Sequence, residues 1–175
     1  MAWKRRAALV VTVSLFALPV SADGKKPPLK NACQLATTAQ VNAVMGRRLR
    51  KTASAPTGCG WQGGPKAQAS LEIYGFKTVA VAKQYLAGKV QGYELCVDAP
   101  DHFLPGSGLG DDAWRDACGS NIAFRVGRVV GETTTYTDDV QQGSTADTRR
   151  TASLTRKAVA HLRKLSCPPS FCRLR

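Results

Sequence analysis

Histidine occurs only twice in the 175 residues, at His102 and His161, and no two cysteines stand at C-x-x-C spacing. Without close cysteine pairs and neighbouring histidines the chain lacks the usual ligand set of a zinc site. It also lacks the motif of a thioredoxin-like redox centre, so neither a metal nor another cofactor is expected. No serine sits in a G-x-S-x-G elbow, and no glycine run leads into the Lys-Ser or Lys-Thr of a phosphate-binding loop. No uncharged apolar run reaches the roughly 20 residues that a membrane-crossing helix needs, so no transmembrane anchor is expected. Negative charge is scarce as well: 12 Asp and Glu face 25 Lys and Arg, for a formal net charge of +13.

What is present begins with residues 1–22. Lys4, Arg5 and Arg6 precede an apolar run from Ala7 to Val20, and Val20-Ser21-Ala22 places small residues where a signal peptidase cuts. This is the three-part pattern of a secretory signal, and an exported chain starting at Asp23, periplasmic or extracellular, is expected. Its apolar run is too short to span a bilayer. The leader holds three of the 25 basic residues and none of the 12 acidic ones, so the remainder stays strongly basic. An anionic envelope component or an acidic protein suits that charge, whereas export argues against nucleic acid. Residues 23–31, rich in Lys and Pro, read as a flexible lead-in, and residues 32–175 as a single domain.

Cys33, Cys59, Cys96, Cys118, Cys167 and Cys172 all follow the leader, an even number in a chain sent to an oxidising compartment. Three disulfides are expected, and the count alone leaves many pairings open. Position favours Cys33 with Cys59, Cys96 with Cys118 and Cys167 with Cys172. The first two would close loops of roughly 20 to 30 residues and contribute about 3 kcal/mol each.

Apolar periodicity outlines the elements. Thr37 and Gln40 form a capping box ahead of a short helix with Val41, Val44 and Met45 on one side and Gly46 as its stop. Strands follow near residues 47–54, 59–62 and 69–76. In the last of these, Leu71, Ile73 and Gly75 alternate with Ser70, Glu72 and Tyr74, and Gly63-Gly64-Pro65 supplies the turn before it. Thr78 can cap a second helix with a stripe of Val79, Ala82, Tyr85 and Leu86, ending near Gly88. Residues 92–110 read as a loop, followed by strands at 112–116, 122–126 and 129–136, with Gly127-Arg128 as a hairpin turn. Asp147 can cap a last helix reaching about Leu165. There Leu154, Ala158, Leu162 and Leu165 share one face, while Arg149, Arg156 and Arg163, flanked by Arg150, Lys157 and Lys164, mark the other. The order helix, three strands, helix, three strands, helix resembles a rough duplication and predicts an α+β fold, mainly antiparallel, with helices packed on the sheet.

Cys33-Gln34-Leu35, the short helix ending in Gly, Cys59-Gly60-Trp61, Gly108-Leu109-Gly110-Asp111-Asp112-Ala113-Trp114, the hairpin and the final helix together resemble the secreted bacterial domain-of-unknown-function family 3558 over residues 31–165. The resemblance implies an α+β sandwich of the broader Mog1/PsbP-like kind, a bridge from Cys33 to Cys59, and no known reaction. Many such proteins look like lipoproteins. Here no cysteine follows the small residues at the end of the leader, so lipid attachment is not expected, and Cys96, Cys118, Cys167 and Cys172 are additions to the usual pattern.

Gly106, Gly108 and Gly110 lead into Asp111-Asp112 and a strand rather than a helix, which points to a turn with unusual backbone angles instead of a phosphate cradle. Trp61 and Trp114 are expected in the core, with a stacking platform for sugars or bases as the functional alternative. The favoured expectation is a non-catalytic binding or interaction domain of the bacterial cell envelope. Arg149, Arg150, Arg156, Lys157, Arg163 and Lys164 are its candidate contacts to an anionic partner. A periplasmic inhibitor or immunity-type protein is one alternative. A hydrolase using Asp111, Asp112 or His102, with Asp101 nearby, is another, although neighbouring strand residues point to opposite faces.

Overall fold

The computed structural model describes residues 28–93, 101–103, 106–116, 121–138 and 145–165. The Cys96, Cys118, Cys167 and Cys172 pairings, and the leader, lie outside the described residues. The fold is α+β, as expected. A 3-10 turn at Ala32–Gln34 precedes α1 (Thr38–Met45), β1 (Arg50–Ser54), β2 (Gly58–Gln62), β3 (Ala67–Gly75), α2 (Val79–Tyr93), β4 (Asp101–Phe103), β5 (Asp112–Arg115), β6 (Asn121–Val126), β7 (Val129–Thr137) and α3 (Thr145–Leu162). The strands make one sheet in the order β1-β2-β3-β7-β6-β5-β4, and its neighbouring pairs are antiparallel.

Local chemistry explains most boundaries. The Thr37 hydroxyl accepts from the Gln40 backbone N–H and the Gln40 side chain accepts from Thr37 N–H, so α1 starts at its capping box, and it stops at Gly46 with φ 66°. The Thr78 hydroxyl accepts from Val81 N–H at 3.2 Å. α2 then runs five residues past Gly88, because Val90 extends the buried line of Ala82 and Leu86. That burial outweighs the roughly 1 kcal/mol that an exposed helical glycine costs. Val79, expected on the stripe, is instead 41% exposed. α3 begins at Thr145, so Asp147 falls within the first turn rather than before it.

The sheet buries its two faces unequally. On one, Trp61, Leu71, Ile73, Ile122 and Phe124 meet α1, α3 and the segment around Leu35 in the main core. On the other, Phe76, Ala123 and Val130 meet Ala82, Leu86 and Val90 of α2 in a smaller cluster. Leu29 is 1% exposed and belongs to the main core, so the packed domain reaches back into the stretch expected to be a flexible lead-in. The expected duplication holds for the sheet, where two meanders meet through β3 and β7, but β4 adds a fourth strand to the second group. The repeat also fails for the helices, since α1 and α2 serve opposite faces.

Cys33 and Cys59 are bridged with a Cα–Cα distance of 5.1 Å, fastening the 3-10 turn to β2 across a separation of 26 residues. A loop of that length contributes about 3 kcal/mol in the chain-entropy account. β7 and α3 are joined by hydroxyls inside the core. Thr133 pairs with Thr155, Thr135 with Thr151 at 2.6 Å, and the Arg150 guanidinium donates to Thr137 at 2.7 Å. Strand period two matches helix period here, so each buried hydroxyl is satisfied. Opposite Phe124, position 131 must be glycine, because a Cβ there would lie 2.4 Å from the Phe124 ring.

Candidate functional site

The segment at residues 106–111 is an anchored turn. Gly106, Gly108 and Gly110 have φ of 98°, 80° and 133°, values that side chains avoid, and they bring Leu109 into the core at 0% exposure. Asp111 N–H donates to the Arg125 carbonyl at 2.7 Å. The Asp111 carboxylate accepts from Gly127 N–H at 2.7 Å and from the Arg125 guanidinium at 3.2 Å, and lies 3.7 Å from Arg163. Arg125 is largely buried, so Asp111 is a counter-ion to a cation that water hardly reaches.

Asp112, the next residue, enters a different environment. β4 pairs with β5 so that His102 stands directly opposite Trp114, and the two rings stack with centroids 4.1 Å apart and planes 20° apart. Asp112 lies two positions before Trp114 on the same face. Its Oδ1 meets His102 Nε2 at 2.8 Å. α2 leans over β6 and β7, leaving a cleft of about 300 Å3 against β5. Leu86, Ala87, Val90 and Trp114 give it an apolar wall, and Lys83, Gln91 and Asp112 give it a polar rim. The structure therefore gathers His102 and Asp112 and places Asp111 elsewhere. No group of His, Cys, Asp and Glu suited to a metal ion occurs among the described residues.

The two tryptophans diverge. Trp61 is 1% exposed and its indole N–H donates to the Thr38 hydroxyl at 3.1 Å, a core role as expected. Trp114 is half-buried: it packs against the smaller cluster and also lines the cleft, so the core expectation holds for it only in part. The signal that could have revealed this is β4, three residues hidden in a stretch broken by Pro100 and Pro105.

Further along the same sheet face, Tyr74 donates to Glu72 at 3.0 Å, Lys89 pairs with Glu132, and the Lys89 ammonium sits 5.9 Å from the Tyr74 ring centre. Burial, followed by the hydrogen bond to Glu72 and the nearby negative charge, pushes the Tyr74 phenol up to about 12.

The six basic residues expected along the last helix do not act alike, and Arg163 and Lys164 fall in the turn just past the end of α3. Arg150 turns back to Thr137, the Arg156 guanidinium donates to the Ser107 carbonyl at 3.2 Å, and Arg163 faces Asp111. These three hold the fold together. Arg149 and Lys164 are exposed, Lys157 is half-buried, and none of these three has a partner among the described residues. No helix among the described residues is long and apolar enough to cross a membrane. Compared with family models, curated proteins and solved structures, the chain has no match.

Proposed function

We propose that this is an exported, non-catalytic binding domain of a bacterial cell envelope, which meets an anionic component through the outer face of α3. The observation that carries the reading is the set Arg149, Lys157 and Lys164. Arg149 and Lys157 lie within about a quarter turn of each other on α3, whose opposite side is sealed by Leu154, Ala158 and Leu162, and Lys164 stands exposed in the turn that follows the helix. The secretory pattern of residues 1–22, the Cys33–Cys59 bridge and the excess of positive charge support export and an anionic partner. Replacing Arg149, Lys157 and Lys164 together with Gln is expected to abolish low-salt co-sedimentation with anionic vesicles or acidic glycans while leaving the unfolding midpoint unchanged. Parental binding should itself fade as the Debye length falls from about 10 Å at 0.1 M salt to about 3 Å at 1 M. Undiminished binding by the triple variant would overturn the reading.

A hydrolytic reading has one observation in its favour, the His102–Asp112 contact. It predicts turnover of an ester, peptide or glycoside that disappears in His102→Ala. Asp111, tied to Arg125 and Gly127, has no part in it.

A further inference from the structure

We infer that the cleft between α2 and β5 is a binding site for one neutral sugar ring. This is separate from the α3 surface and does not depend on it. A pyranose presents a flat C–H face and a circumference of hydroxyls. The cleft answers both. Trp114 offers a partly exposed aromatic surface, held in a fixed plane by the His102 ring stacked upon it. Around it stand a carboxylate, an amide and an ammonium from Asp112, Gln91 and Lys83, which between them can accept from and donate to hydroxyls.

The carboxylate is already oriented. His102 occupies Asp112 Oδ1, and Oδ2 has no partner among the described residues, so an acceptor is set at the rim before any ligand arrives. Such preorganisation lowers the entropic cost of binding. Lys83 and Gln91 likewise have no partner among the described residues. Charge decides between ligand classes. An anion would meet Asp112 and a cation would meet Lys83, whereas a neutral polyol uses both without leaving either opposed. Size and apolar area decide the rest. About 300 Å3 is near the small end of ligand cavities, and the apolar wall, with Leu86 and Val90 at 1% and 8% exposure, is shorter than an acyl chain needs.

The test is a titration of the 15N-labelled oxidised protein with methyl glucoside and N-acetylglucosamine, with glucuronate, glucosamine and indole as competing chemistries. Saturable shifts of the Trp114 indole N–H and of amides between Lys83 and Gln91, with the Trp61 indole N–H unmoved, are expected from the neutral sugars. Gln91→Ala and Lys83→Ala, both at exposed positions, should weaken binding several-fold, and Asp112→Asn about tenfold. Because the first two variants alter only the rim, they keep the question decidable if Trp114→Ala fails to fold. Cellobiose binding more tightly than methyl glucoside would assign the ring to a glycan end, and weaker binding would assign it to a free sugar; both support the site. Absence of shifts at Trp114 with either neutral sugar, binding of only glucuronate, glucosamine or indole, or unchanged affinity in all three rim variants would overturn it.

Discussion

Asp111 and Asp112 are chain neighbours with different roles. Asp111 is drawn into the backbone and guanidinium groups of the β6–β7 hairpin and the end of α3, where it neutralises Arg125. Asp112 faces the α2 cleft, and its carboxylate is bonded only to His102 among the described residues. The same division separates the two faces of the sheet. One is closed by α1, α3, the disulfide and a line of paired threonines, and the other is covered by α2 over only part of its width. Stability is concentrated where polar groups have found partners, and open chemistry is left where one helix covers less than the sheet offers.

The largest expected effect compares the faces directly. Leu154→Ala, in the closed core at 0% exposure, should cost near the top of the roughly 2–5 kcal/mol range for such truncations. Leu86→Ala should fall near the bottom, because a single helix can settle into the gap. Denaturant midpoints of the two variants check this, and equal losses would remove the distinction between the faces.

The aspartates sharpen it at smaller scale. Asp111→Asn is expected to destabilise by about 1–3 kcal/mol, since it leaves buried Arg125 with a weaker partner. Asp112→Asn should stay within about 0.5 kcal/mol. Thermal unfolding at neutral pH distinguishes them, and a larger loss at Asp112 would reverse the assignment.

The smallest effect concerns Tyr74. Its phenol keeps its proton to about pH 12 in the folded protein and loses it near pH 10 when unfolded. Between those values the unfolded state binds fewer protons, so stability should fall as pH rises from 10 to 12 and then level off. Absorbance titration should show the Tyr74 phenol ionising late, and Glu72→Gln should bring its ionisation earlier. An unchanged Tyr74 ionisation in Glu72→Gln would contradict the Glu72 contribution.

Strong local signals were legible in the chain. The Thr37–Gln40 box, the Gly46 stop, the alternation through Leu71 and Ile73, and the Gly127-Arg128 turn specify their elements through neighbours a few residues away. So did the apolar stripe of α3, with Leu154 and Ala158 both at 0% exposure. Three consecutive threonines favour a strand by their branching, which fixed β7. That Thr133 and Thr135 would each meet a hydroxyl of α3 depends on how helix and strand lie across each other. The division of the basic residues has the same cause: a seven-residue spacing places Arg156 and Arg163 outward, but only the approach of the 106–111 turn gives them partners. β4 is three residues long and its pattern is too short to read, so the meeting of His102 with Asp112 and Trp114 was invisible until β5 supplied the register. The sequence by itself determined the periodic elements, the basic excess and the anchored glycine turn, because these follow from residues close in the chain. Tertiary structure alone decided which charges are neutralised, which tryptophan is buried and where the cleft opens, because each depends on groups that sequence places far apart and the sheet brings into contact.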